Sequence, residues 1–350
     1  VITNHERPGV YSSYEASSIT SAKAGGKAVA VVAAMEDADG SECYTWYSYA
    51  QAAADCGQGE KVTELARLAL KNGAGLVYGI PAGEDYEGAF ATLEGLENVA
   101  GVCCDSTDVT VQQALRDSVK ASAKARRERI AVVCGAKGET VTQLTTRAAG
   151  LNDERVVLVA PGCLDVEGDP VGGDLCAAAV AGLIAGQSDP AVPLGGEVLS
   201  GLTGLDHSYS DNEIDQLVQG GVTALESLAG QISVVRGVTT RTTTGGAADI
   251  TWRELTTILV VDEVIPGIRQ ALRAKFPRAK NTPQTRGAVL AQVIVELENR
   301  VAREVIDSYE DVTVSALESD PTVCLVEFAF TVAHDGSPQT PAPCCNDNAN

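Results

Sequence analysis

The sequence predicts an α/β protein: a mostly parallel, doubly wound domain with helices on both faces, an α+β C-terminal domain after it and an extended N-terminal arm before it. Three observations predict this. Short unbroken apolar runs, such as Ala28–Ala34 and Ile130–Cys134, alternate with amphipathic segments of about 10–20 residues, the pattern of strands covered on both faces. The first 26 residues are polar and carry no helical period. After residue 250 the alternation stops, and two long helical stretches precede two strands.

In the arm, Val10, Tyr11, Tyr14 and Ile19 suit an extended strand preceded by Pro8-Gly9, and Ala24-Gly25-Gly26 separates it from the first buried strand. Helix Lys61–Asn72 then leads to strand Leu76–Ile80, and helix Glu87–Leu96 to strand Val99–Cys103. Helix Val109–Arg127 leads to strand Ile130–Cys134, helix Thr140–Ala149 to strand Val156–Val159, and helix Gly172–Ala185 closes the run. Residues 186–250 are rich in Gly and Thr around a helix at Asp211–Gln219 and strands near Val222–Leu228 and Ser233–Thr240. Helices at about 252–276 and 285–307 follow, then strands Val312–Leu317 and Val323–Val332. The last sixteen residues are Pro-rich and polar, without a regular element. The expected division is an arm at 1–26, a middle domain at 27–235, a C-terminal domain at 236–334 and a tail at 335–350.

A composition that is 45% apolar but only 4% aromatic describes a globular chain whose core is built from Ala, Val, Leu and Ile. No apolar run reaches the ~18–20 residues of a membrane span, and the first residues have no apolar stretch of the signal-peptide kind. A net charge of −21 argues against nucleic acid as a partner, since phosphate would meet repulsion over most of the surface. The ten cysteines are scattered, several within strand-like runs, and none stand in C-x-x-C spacing; they read as reduced, small hydrophobes of a cytosolic product.

Little points to chemistry. Asp206-His207-Ser208 permits a Ser–His–Asp triad only on paper, because no G-x-S-x-G elbow accompanies it. Gly25-Gly26-Lys27 lacks the spacing of a phosphate cradle. Gly168–Gly173 reads as a helix entry with Asp169 near the N-cap and Pro170 at N1. No catalytic residue, cofactor or metal is expected, and the chain does not read as an enzyme.

The most informative segment is 267–286, GIRQALRAKFPRAKNTPQTR, which holds six basic side chains and no acid in an otherwise acidic chain. Arg269, Arg273, Lys275, Arg278, Lys280 and Arg286 are the candidates for contact with an acidic surface, and Arg269 and Arg273 share a helix face. In the helix that follows, Val289, Val293, Leu297, Val301 and Val305 recur every four residues, so its apolar stripe packs on its own domain.

The N-terminal ERPGVYSSYE resembles the PGVY-type opening of contractile tail sheath proteins from phages and phage-derived bacteriocins. The resemblance resumes at Val235-Arg236-Gly237-Val238-Thr239-Thr240 and is densest from Ile250 to His334, which is similar to the C-terminal domain of that family. It covers about 330 residues in order. It implies that the middle domain is the family's so-called subtilisin-like domain, which is not a protease. It implies a structural subunit that polymerises as stacked hexameric rings around an inner tube, with the tube, baseplate and terminator proteins as partners, assembled in a bacterial host cytoplasm. Contraction would drive the tube through a target envelope. Pro8, Gly9, Val10, Tyr11 and Tyr14 would form a strand added to a neighbour's sheet, received at an edge such as Val323–Val332. The basic segment would meet the tube or an adjacent subunit. One departure stands out: the family's further closing strand is replaced by a Pro-rich tail from Asp335. The competing readings are a cytosolic α/β enzyme with a C-terminal oligomerisation domain and a non-contractile scaffold.

Overall fold

A computed structural model describes residues 26–83, 86–316 and 324–332. The chain opens with strand β1 (Ala28–Ala34), followed by β2 (Tyr44–Trp46), α1 (Tyr49–Cys56), α2 (Lys61–Lys71) and β3 (Leu76–Ala82). The β/α alternation continues through α3 (Glu87–Glu94), β4 (Val99–Cys104), α4 (Val109–Lys124), β5 (Ile130–Cys134), α5 (Val141–Leu151) and β6 (Val156–Ala160). Short strands β7 (Cys163–Leu164) and β8 (Pro170–Gly172) precede α6 (Asp174–Gly186), and β9 (Val198–Leu199) and β10 (Gly204–Leu205) precede α7 (Asp211–Gln219). The antiparallel pair β11 (Val222–Leu228) and β12 (Gln231–Val234) and the hairpin β13 (Thr243–Thr244) and β14 (Ala247–Ala248) come next. Long helices α8 (Leu255–Lys275) and α9 (Pro283–Ala302) and strands β15 (Ile306–Ala316) and β16 (Cys324–Val332) complete the described chain.

Nine strands form one mixed sheet in the order β2-β3-β1-β4-β5-β6-β11-β12-β9. The six from β3 to β11 run parallel, and antiparallel strands close both sides, β2 on one and β12 with β9 on the other. Alternate residues of each central strand serve opposite faces, as the two-residue period requires. Val29, Val31 and Ala33 join α1, α2 and α6 in one core, whereas Ala28, Ala30 and Val32 join α3, α4, α5 and α7 in another. This is why the strands carry no polar alternation. α6 is buried nearly all round, and Gly182 lets it approach α2: a Cβ there would stand 2.3 Å from the Ala69 carbonyl oxygen.

Several expectations need correction. Pro170 lies in β8, not at the start of a helix; α6 begins at Asp174 behind Gly173, because the chain first forms a small sheet with β7 and β10. The strand expected over Ser233–Thr240 ends at Val234; beyond it only Val238 makes a bridge, to Glu254. Val305 is buried but follows α9, which stops at Ala302, so the stripe on the helix ends at Val301. β15 starts at Ile306, earlier than expected. The edge strand β2 and helix α1 were not foreseen; they are set by Trp46, fully buried over Gly79, where a Cβ would meet the indole at 1.9 Å. The arm, including Pro8, Gly9, Val10, Tyr11 and Tyr14, and the Pro-rich tail lie outside the described residues.

Helix α8 belongs to two cores. Leu255 and Ile258 pack into the sheet's core with α2 and α6, while Val260, Val264 and Ile268 pack with Val289, Val293 and Leu297 of α9 and with Ile306, Phe330 and Val332 of the terminal strands. α9 is started by Thr282, whose hydroxyl accepts from the Thr285 N–H, with Pro283 in the first turn. β15 and β16 pair antiparallel as a separate two-stranded ribbon against α9.

Candidate functional site

At the carboxyl ends of β5 and β6 lies a pocket of about 630 Å³, the usual place for an active site in a parallel sheet. Its lining includes Glu139, Asp206, His207, Tyr209 and Glu213. The carboxylates there have structural work. Glu139 accepts from Arg147 Nε at 3.0 Å, and Glu213 closes a capping box with Ser210, whose hydrogen bonds hold the Glu213 carboxyl below its ordinary value. Burial raises the Asp206 carboxyl. His207 is exposed and meets Tyr209 edge-on, ring centres 4.8 Å apart; among the described residues no hydrogen bond joins it to a serine or carboxylate. The paper triad does not assemble. His5 and His334 lie outside the described residues.

The basic segment is split by the fold. Arg269 turns inward and donates to Glu128 at 3.0 Å, and Arg273, one turn on, lines a cleft of about 700 Å³ between α8 and the amino ends of the parallel strands. Lys275 donates to Gln292 of α9, and Arg286 donates to Asn281 at 3.0 Å. Arg278 and Lys280 stand exposed in the α8–α9 turn. The shared face of Arg269 and Arg273 thus addresses the chain's own middle region, while the turn addresses solvent.

A second ion pair deepens that junction. Arg155, at the start of β6, places Nη1 and Nη2 2.7 and 2.8 Å from the two oxygens of Asp262 on α8. Burial raises the Asp262 carboxyl and Arg155 offsets this only in part; for Arg155, burial opposes the charge but Asp262 outweighs it and holds the guanidinium above its ordinary value. Sequence reasoning did not find Arg155, Glu128 or Asp262, because their partners stand more than a hundred residues away in the chain. It also passed over Arg126 and Arg127, which line the cleft with Arg273; the basic run Lys124-Ala-Arg126-Arg127 was the available signal.

The ribbon is the third feature. Its inner face is apolar, with Phe330 and Val332 buried and Phe328 stacked 6.1 Å from Phe330. Among the described residues neither outer edge of β15–β16 is paired. Unpaired main-chain groups along strands of 11 and 9 residues form a template for another strand.

Two family models match in chain order: the phage tail sheath protein central domain over residues 79–240 and the phage tail sheath C-terminal domain over residues 247–336. The chain belongs to the phage tail sheath family. Among curated proteins it is similar to the tail sheath protein of Bacillus phage SP01, 32% identical over 197 residues. That match takes in 52% of this chain and 32% of the relative, so the chain spans about a third of the curated relative's length. Its fold is similar to that of the sheath tail protein of Listeria innocua, with a TM-score of 0.72 at 14% identity over 92% of this chain and 95% of that one. The sheath tail protein of Desulfitobacterium hafniense gives 0.70 at 13% identity over 95% and 99%. The anti-feeding prophage helical sheath in its contracted state gives 0.66 at 14% over 96% and 98%. The mixed α/β fold and the C-terminal domain are therefore those of sheath proteins.

Proposed function

We propose that this chain is a structural, non-enzymatic subunit of a contractile tail sheath, polymerising with its own kind around an inner tube and anchored to a baseplate. The observation that carries the reading is the ordered match of the central and C-terminal sheath models on one fold, with both ribbon edges unpaired among the described residues. A helical polymer needs heterologous contacts that propagate without closing. It also needs ties that persist while subunits reorient. A strand added to a neighbour's ribbon does this: main-chain hydrogen bonds hold the chains, each worth a net ~0.5–1.5 kcal/mol, without fixing domain orientation.

The tie we assign is the doubly wound subunit's own N-terminal arm, Pro8 to Ser18, with Val10 and Tyr14 on one face and Tyr11 on the other. The domain division follows: arm to residue 26, middle domain 27–235, C-terminal sheath domain 236–334, tail beyond. Of the basic segment, Lys275, Arg278, Lys280 and Arg286 at the α8–α9 turn would meet the tube, each exposed contact worth ~0–1 kcal/mol and so releasable on contraction. Terminator contact and assembly in a host cytoplasm complete the proposal.

Electron microscopy of the purified chain tests it: hollow tubes or ordered helical filaments are expected, and monodisperse globular particles at high concentration would overturn it. Charge reversal at Arg278 and Lys280 separates the tube contact, since sheaths should then form without enclosing a tube.

A further inference from the structure

The cleft beneath α8 holds more positive charge than its own chain uses. Three of its four carboxylates are committed, Asp262 to Arg155, Glu128 to Arg269, and Glu263 to Arg300 and Arg303 at 3.9 and 3.8 Å, which leaves only the exposed Glu97 at its rim. Lys27, Arg126, Arg127 and Arg273 line the same cleft and form no ion pair among the described residues. The Arg127 Nε is fully buried and has no acceptor. In a chain of net charge −21, four uncommitted cations around about 700 Å³ would be expected to have an acidic counterpart.

An uncommitted acidic group lies at the far end of the same strands. The loop after β1 carries Glu36, Asp37, Asp39 and Glu42, all exposed and, among the described residues, none in an ion pair. Their hydrogen bonds are local: Asp39 accepts from the Ser41 N–H at 2.8 Å, and Glu42 accepts from the Tyr44 hydroxyl. Lys27 immediately precedes β1 and the loop follows it, so a strand of seven residues, ~23 Å, holds the two charge groups apart. The loop therefore does not reach its own cleft.

We infer that the cleft lined by Lys27, Arg126, Arg127 and Arg273 receives the Glu36–Glu42 loop of a second copy of this chain. The contact is head to tail, because the two surfaces sit at opposite ends of one sheet. A contact of that kind leaves a joined pair with one unused cleft on one copy and one unused loop on the other, so it extends to an open series instead of closing as a dimer. It rests on the sheath reading, and it supplies an inter-subunit surface independent of the arm and of the α8–α9 turn. Being ionic and partly open to solvent, it weakens as salt rises.

The test is a charge swap in the purified full-length chain, read by sedimentation and electron microscopy without tube protein. Lys27→Glu with Arg126→Glu changes two exposed side chains, and Glu36→Lys with Glu42→Lys changes two more. Thermal unfolding of each variant checks that the fold is retained. Each pair alone is expected to raise the concentration needed for assembly about ten-fold, and combining all four is expected to restore assembly toward wild type. Ordered polymer indifferent to both reversals, or folded variants that the combination does not rescue, would overturn the cleft contact alone. A wild-type chain that forms no ordered polymer would overturn the sheath reading and this contact with it.

Discussion

The nine-stranded sheet and the two-stranded ribbon solve the same problem of strand edges in opposite ways. The sheet finishes itself: its parallel core is closed by β2 on one side and by the short β9 on the other, with helices packed on both faces. The ribbon does not, because β15 and β16 pair with each other and, among the described residues, with nothing else. Two strands with one covered face are marginal alone. A chain that caps the edges of one sheet and, among the described residues, leaves the other open offers its unpaired strand edges in the second. The difference teaches where assembly energy would be spent, and it orders the ways to break it.

The largest effect is expected from removing the ribbon's proposed partner strand. Deletion of residues 1–18 should abolish ordered polymer and leave soluble subunits or amorphous aggregate, whereas deletion of 337–350 should leave assembly intact in electron micrographs. The reverse pattern would move the tie to the other end of the chain. Within the finished sheet, Gly182→Val should prevent native folding, since even a Cβ would overlap the Ala69 carbonyl; a cooperative melt near that of wild type would contradict this. The junction comes next. Asp262→Ala leaves the Arg155 guanidinium buried without its partner and should cost about 3–5 kcal/mol in denaturant unfolding. Arg269→Ala breaks a more open pair and should cost ~1 kcal/mol or less.

The smallest effect concerns thiols. Of the eight described cysteines, all free, Cys43 and Cys324 are exposed, while Cys103, Cys104, Cys134 and Cys176 are buried, and their thiols are raised, by burial for the first three and by the Cys163 contact together with burial for Cys176. Mass spectrometry after native alkylation should show Cys43 and Cys324 labelled and those four untouched until denaturant is added.

Much of the middle region was legible because a strand covered on both faces must be apolar at consecutive positions, as in Val156–Ala160 and Ile130–Cys134. The elements that escaped owe their form to distant partners. Tyr44–Trp46 becomes an edge strand because Gly79 leaves room for an indole, and nothing local announces that. The apolar pattern beyond β12 misled because Val234 and Val238 are both buried, yet the chain between them leaves the strand ladder: Val238 is held by the Thr223 hydroxyl and bridges to Glu254. For the candidate surfaces, charge was legible and direction was not. The run of six cations was plain, but that Arg269 turns inward to Glu128, or that Arg126 and Lys27 converge near Arg273, depends on packing between segments far apart in sequence.

The placement of helix α8 has a mechanical consequence. It is embedded at its start among residues of the large sheet and at its end among those of α9 and the ribbon, and between the two it is pinned by Asp262 to Arg155. One continuous helix thus couples both bodies, and its weakest point is Pro266, which cannot donate to the helical ladder. In a polymer of these subunits, bending would then fall on the links from one chain to the next and, inside each chain, on the turn of α8 around Pro266.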